Sequence, residues 1–336
     1  EPAIDVLLAQ NMAETKRLLD QVDKPDWENF ADPIDVLDDR LERVWAPVEH
    51  MNAVVDSEEL RAAYNACLPK LADYATEMGQ NRSLYLAYED LAEQTEELDP
   101  ARQKALENAL RDFRLSGVDL PQAEQARFKE ISSELSRIAS KYQENLLDAT
   151  NAWSKLITQV DQLSGLPESA LELAAQTASQ RGRKGWMLNL EFPSYFPVIT
   201  YADNRELRRE MYEAYSTRAS DQGPDAGVYD NTEIMEQILA LRHEQSLLLG
   251  FNNYAERSLT KKMARTTEEV MNFLQDLAQR AKPQAQLELD ELEAFARERY
   301  AVEDLESWDI PYYSEKLRQH RYDISQEDLK PYFPHN

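Results

Sequence analysis

From Phe128 to Tyr142 the chain sets an apolar side chain at every third or fourth position: Phe128, Ile131, Leu135, Ile138 and Tyr142. An α-helix brings such positions onto one face. The rhythm returns in Ile34, Leu37, Leu41 and Val44, again in Ala105, Leu106, Ala109, Leu110 and Phe113, and again in Val270, Phe273, Leu274 and Leu277. Helix starts are marked as well. Asp32-Pro33 and Asp99-Pro100 each place an N-cap before a first-turn proline. Asp230 with Glu233, and Thr266 with Glu269, have capping-box spacing. Gly117 follows the Phe113 stripe as a helix stop. Sheets need many turns, and turns draw on glycine and proline. Eight glycines and fifteen prolines in 336 residues supply few. The expected fold is therefore mainly α, a multi-helix array.

One region breaks the rhythm. In "GWMLNLEFPSYFPVITYADN", Gly185 to Asn204, the residues Trp186, Leu188 and Leu190 alternate with Met187, Asn189 and Glu191. This is strand spacing. Pro193 and Pro197 oppose a continuous helix after it. A short extended or β insertion is expected near 186–200, then a turn and a new helix from about Asn204 to Arg218. The clearest loops are Arg181–Gly185 and Ser220–Gly227. The first divides an N-terminal helical array, 1–180, from a second helical segment of the same lobe, 181–336.

Charge and cysteine content narrow the function classes. Aspartate and glutamate number 63 against 37 lysines and arginines, a formal net charge of -26. Such a field repels nucleic acid and anionic membrane surfaces and suits neutral or cationic partners. The lone Cys67 allows no intrachain disulfide and points to the cytoplasm. It lies in "YNACLPK", near an expected helix end, and reads as a small buried hydrophobe. The opening "EPAIDVLLAQ" does not read as a signal peptide. No apolar run approaches the ~20 residues needed to cross a bilayer.

His243 and Glu244 open the zinc-peptidase pattern H-E-x-x-H, but the position of the second histidine is Leu247. A helix that binds zinc needs two imidazoles one turn apart. At roughly 100° per residue, Ile234, Ile238, Leu241 and Leu248 share one face. His243 falls nearly opposite, in a stripe with Leu239 and Leu247. The helix from about Asn231 to Leu249 is thus expected to be sandwiched, with Leu239 and Leu247 buried and His243 packed and hydrogen-bonded. His50, His320 and His335 are too dispersed to complete a site, so no metal ligand and no catalytic residue is assigned. There is no G-x-S-x-G elbow and no phosphate-binding G-x-x-x-x-G-K-[ST] loop. "GRKG" at Gly182 to Gly185 reads as a flexible basic loop rather than an RNA clamp.

The segment "WDIPYYSEKLRQHRYDI", Trp308 to Ile324, is aromatic and charged at once. Tyr312, Tyr313, Lys316 and Tyr322, with His320, could line a groove, since tyrosine joins apolar area to a hydroxyl. The same tyrosines could instead pack between helices with their hydroxyls tied off.

Long strings here resemble the thimet-oligopeptidase-like zinc metallopeptidases of family M3. They include "EPAIDVLLAQN", "LRDFRLSGVDLP", "FPSYFPVITYADN", "REMYEAYSTRASD" and "DNTEIMEQILALRHEQSLLLGFNNYAERSLTKKMA". "WDIPYYSEKLRQHRYDIS" and "LKPYFP" complete the set, so the resemblance runs over essentially the whole chain. It implies a neurolysin-like N-terminal lobe of a two-lobed peptidase with a central channel. It also implies hydrolysis of short unfolded peptides with Zn2+ in the full-length parent. The family's H-E-x-x-H and downstream glutamate have no counterpart in this sequence. The chain is accordingly expected to be an N-terminal, channel-wall part, inactive alone, with the missing C-terminal catalytic half as docking partner. Tyr312 to Lys316 would be the last segment before that half. A rival reading is a non-catalytic acidic helical domain that binds protein partners.

Overall fold

The computed structural model describes residues 2–55, 57–93, 98–324 and 332. Thirteen α-helices and one two-stranded sheet are formed among them. They group into two compact units, each assembled from two stretches of chain. The first joins Glu1–Lys141 with Ile234–Arg265, the second Tyr142–Glu233 with Thr266–Asn336.

In the first unit, α1 (Pro2–Gln21), α2 (Asp32–Val54), α3 (Glu58–Gly79), α4 (Arg82–Ala92) and α5 (Pro100–Leu115) surround two apolar clusters. Phe30, Ile34, Leu84, Tyr88, Leu91 and Leu106 fill one, with Phe30 edge-on to Tyr88 at 5.8 Å between ring centroids. Cys67 is buried in the other, beside Ile4, Leu8 and Tyr74. It lies inside α3, not near a helix end, because that helix continues through Pro69. The cap of α5 is as expected. Asp99 accepts from the backbone N–H of Ala101 and Arg102, which satisfies two of the helix's orphan donors. At its other end Gly117 takes φ +86°. The Gly117 and Val118 amides close back on the Arg114 and Phe113 carbonyls, the double hydrogen bond of a Schellman stop. At α2 the expectation fails: Asp32 has helical φ and ψ and caps nothing. A single π-helical turn, Trp27–Ala31, leads into α2, and its cap is the reciprocal pair Asp26–Asn29.

α6 (Gln122–Ala152) buries Phe128, Ile131 and Ile138. It is followed by β1 (Ser154–Ile157), which pairs antiparallel with β2 (Trp186–Asn189) in the register Ser154↔Asn189 to Ile157↔Trp186. The strand at 186–189 was legible; its partner was not. Met187, Leu188, Asn189 and Leu190 are all buried, so this strand is covered on both faces. Gly185 precedes it with φ +116°, and a Cβ there would stand 2.4 Å from the Ile157 carbonyl oxygen. α7 (Glu168–Gln180) lies between the strands in sequence.

The extended reading is wrong beyond Asn189. Residues Phe192–Tyr201 form helix α8 despite both prolines. Pro193 sits in the first turn, where no N–H is required. Pro197 forfeits one internal bond only a turn later. The burial of Val198, Ile199 and Tyr201 outweighs that loss. α9 (Arg205–Ser216) follows, capped by Asn204, whose side chain accepts from Leu207 N. Together β1, β2, α7, α8 and α9 enclose Leu163, Leu188, Leu190, Val198, Leu207 and Met211.

α10 (Thr232–Leu248) overturns another expectation. Leu239 is 66% exposed, Leu247 53%, and His243 is exposed as well. The helix is not sandwiched. Its buried residues are the polar Gln245 and Ser246, near its C-terminal end; Gln245 falls on the face of Ile234, Ile238 and Leu241, a polar side chain where the period wants an apolar one. Hydrogen bonds make that burial tolerable. Gln245 Nε2 donates to Ser132 Oγ, and Ser246 Oγ donates to the Arg242 carbonyl. α11 (Tyr254–Leu259), α12 (Thr267–Tyr300) and α13 (Ile310–Tyr322) complete the set. Thr266 caps α12 by accepting from Glu269 N, as its spacing suggests.

Candidate functional site

The aromatic and charged segment becomes helix α13, and its site is built from the residue before it. Asp309 is fully buried. Its carboxylate accepts from Arg205 Nη2 at 2.6 Å and Arg208 Nη2 at 2.7 Å, and from the Glu306 amide at 3.1 Å. Burial alone would raise its pKa. The two guanidinium hydrogen bonds outweigh burial and hold it below the ordinary carboxylate value. Arg208 is itself 1% exposed, and its other arm donates to the Ala202 carbonyl. The Arg208 guanidinium lies 4.0 Å from the Tyr312 ring centroid, a cation–π contact.

Tyr312 and Tyr313 are both buried and pack edge-on, 5.0 Å apart, in a cluster with Leu292 and Ala296 of α12. Tyr312 donates its hydroxyl to Asp203 Oδ1 at 2.8 Å. Burial and this bond to a carboxylate raise its pKa well above a free phenol's. Burial likewise raises that of Tyr313. Lys316 is half-buried, with Nζ 3.6 Å from the same Asp203 oxygen and 5.0 Å from the Tyr312 ring centre. Tyr312, Tyr313 and Lys316 are therefore brought together around Arg208 and Asp203. Tyr322, at the far end of α13, is not part of that group. It is 64% exposed and borders a ≈ 500 Å³ groove between α12 and α13, with Leu289, Leu292, Ile310 and Leu317. His320 is exposed, close to Arg299 and the Phe295 ring, and His335 lies outside the described residues.

The Asp309 carboxylate is fully engaged, while Arg208 Nε is buried without a hydrogen-bond partner. This carboxylate spends its lone pairs on two arginines and an amide, which suits it to positioning α13 on α9. Asp203, Arg205, Arg208 and Asp309 escaped the reading of the sequence. One signal existed: Arg208 shares a helical face with Met211, an arginine where the pattern wants an apolar residue.

His243 stands exposed on the surface of α10. Glu244 is clamped by Arg127, Nε to Oε1 at 2.6 Å and Nη2 to Oε2 at 2.8 Å, and this hydrogen bonding lowers its pKa. Leu247 stands at the second ligand position. Among the described residues no group of three or more His, Cys, Asp or Glu is placed to hold a metal ion. No described helix is long and apolar enough to cross a membrane.

The most unusual surface belongs to α12. From Met271 to Glu291 every residue is exposed. That stretch includes three of the four residues of the apolar stripe legible in the sequence, Phe273 at 64%, Leu274 at 49% and Leu277 at 52%, with Met271 beside them at 52%; the fourth, Val270, is half-buried.

A family model described as the neurolysin/thimet oligopeptidase N-terminal domain matches residues 4–125, and one described as peptidase family M3 matches 198–336. The proteins called oligopeptidase A in Salmonella typhimurium and Escherichia coli are each 50% identical to this chain over its full length and 50% of theirs. A probable cytosolic oligopeptidase A of Arabidopsis thaliana is 39% identical over 99% of the chain and 48% of its own length. The chain thus spans about half the length of the curated relatives it matches. With two family segments in order, 4–125 and 198–336, and half of its residues identical to those of bacterial relatives, the chain belongs to peptidase family M3.

Proposed function

We propose that this chain forms the non-catalytic wall of a zinc-dependent oligopeptidase that cleaves short unfolded peptides, and that residues outside this chain hold the zinc. The relatives' name, oligopeptidase A, supports the substrate class. The observation that carries the wall role is the bare stripe of α12. A helix usually owes most of its stability to burial of its apolar face. Here Met271, Phe273, Leu274 and Leu277 each remain about half exposed or more. Full burial of such a side chain contributes about 1.5–3 kcal/mol, so covering four half-exposed ones would contribute roughly 3–6 kcal/mol. The occupant we favour is the remainder of the peptidase, its catalytic half. Tyr322 and Lys316 would present their polar ends toward the channel side, with Tyr312 and Tyr313 holding α13 from within. The acidic surface would favour basic peptides, and the single buried thiol fits a cytoplasmic setting.

The test compares two preparations: this chain alone, and the polypeptide its gene encodes including any flanking sequence. Each is assayed for bound zinc and for cleavage of unstructured fluorogenic peptides. Zinc-dependent cleavage is expected only in the longer one. Phe273→Asp with Leu277→Asp in that longer protein should loosen the contact and expose α12 to protease. Zinc-dependent cleavage by this chain alone, abolished by His243→Ala, would overturn the proposal. A longer protein that never cleaves peptides would favour the acidic interaction domain.

A further inference from the structure

On a chain of net charge -26, one hollow is lined by cations. It lies within the first unit, among α3, α5, α6 and residues 245–262, and encloses ≈ 610 Å³. Its floor is apolar, with Ala72, Ala75, Leu115 and Phe128. Its charged members are Arg257, Lys261 and Lys262 against a single carboxylate, Asp112.

Arg257 is half-buried, with its guanidinium 5.9 Å from the centre of the Phe128 ring. Its Nη1 donates to Gln245 Oε1 at 2.5 Å, a neutral acceptor. Gln245 is 4% exposed and is itself fixed by Ser132 Oγ, so the guanidinium is held in place from behind. Among the described residues no carboxylate lies within ion-pair distance of it. Burial lowers its pKa; Tyr254 acts in the opposite sense, and Arg242 reinforces the burial. Lys262 also has a neutral partner, Ser258 Oγ at 2.8 Å. Asp112, the one anion present, is shared between Lys261 Nζ and Arg111 Nε, each at 3.0 Å. A partly desolvated cation without a counter-charge is unfavourable, and proteins keep few of them without an anion to receive. A guanidinium fork with one edge anchored and the other facing a cavity suits a carboxylate.

We propose that this hollow binds a small carboxylate carrying an apolar side chain, with the carboxylate on Arg257 and Lys262 and the side chain on the Phe128–Leu115 floor. The C-terminal residue of a short peptide and a free organic acid share this chemistry. The proposal does not depend on the peptidase reading, since it uses only residues of the first unit.

The test is calorimetric titration of the protein as its gene encodes it. The probes are acetyl-alanyl-phenylalanine, its C-terminal amide, and 3-phenylpropionate. The dipeptide acid is expected to bind with a saturating isotherm that weakens with added salt, and the amide at least about tenfold more weakly. Loss of a charge-assisted hydrogen bond corresponds to roughly ten- to a hundredfold in affinity. Arg257→Gln should weaken the acid by that factor, and exposed Lys262→Gln by a smaller one without altering the melting temperature. The second variant keeps the test decisive if the first disturbs folding. Equal binding of the dipeptide and 3-phenylpropionate would identify a free acid as sufficient; binding of the dipeptide alone would identify a peptide end. An amide that binds as well as the acid, no saturable binding of either acid, or binding unmoved by both substitutions would overturn the proposal. The last result also separates this hollow from any other peptide-binding surface on the protein.

Discussion

Replacing Asp309 with alanine is the most informative perturbation of the second unit. The substitution removes the acceptor of Arg205, Arg208 and the Glu306 amide at once. Arg205 is 47% exposed at its side chain and can turn to water, so its share is small. Arg208 cannot, because it is 1% exposed. It would remain as a buried cation whose remaining partners are the carbonyls of Ala202 and Asp203 and the Tyr312 and Tyr313 side chains. Removing one partner of a buried ion pair costs about 3–5 kcal/mol, chiefly because the other charge is stranded. For a unit of this size each kcal/mol moves the melting temperature by about 2–4 °C, so a fall of roughly 6–20 °C is expected. Differential scanning calorimetry would read it. The companion variant, Arg208→Met with Asp309→Leu, replaces the pair by apolar side chains of similar volume and should recover most of the loss. An Asp309→Ala protein that melts within about 2 °C of the parent would refute the reasoning. So would a double variant no more stable than the single one.

The same carboxylate sets an acid limit. Its native pKa is lower than its unfolded one, so its contribution to stability is complete above the unfolded value of about 3.9. That contribution is lost as pH falls toward the native value, so the parent's melting temperature should drop over this window more steeply than that of Arg208→Met/Asp309→Leu. Tyr312→Phe removes the hydroxyl bond to Asp203 while keeping the ring on Arg208, and should cost about 1 kcal/mol by urea denaturation; a loss above about 3 kcal/mol would show that the hydroxyl does more than tie down α13. Leu247→His places histidine at the second position of the near-motif. Because Leu247 is 53% exposed, the change should fall within about 0.5 kcal/mol of the parent. It should also add no tight zinc site, because among the described residues no third ligand is grouped with His243, as metal analysis after dialysis would show.

Helix content, helix starts and the broad family were legible because they are written in local terms. Stripes at three- and four-residue spacing, the Asp99 and Thr266 caps and the Gly117 stop each act within a turn or two of their own position, and they formed as their residues require. Several features were decided only by packing. Pro193 and Pro197 argue against a helix locally, yet α8 forms because its far end buries Val198, Ile199 and Tyr201. β1 had no signal of its own and exists because β2 offers it an edge in register. On α10 the periodicity of the leucines pointed to a sandwiched helix, whereas Gln245 and Ser246 became its buried residues once Ser132 Oγ and the Arg242 carbonyl were there to accept their hydrogen bonds and Arg257 to donate one to Gln245 Oε1. The buried charges Arg208 and Asp309 lie 101 residues apart in sequence, and no pattern in either neighbourhood names the other. The sequence determined where the chain could be helical, because that follows from side-chain spacing along one strand of backbone. Which helix faces are covered, and which charges meet in the core, depends on residues far apart in sequence and was decided only by the tertiary fold.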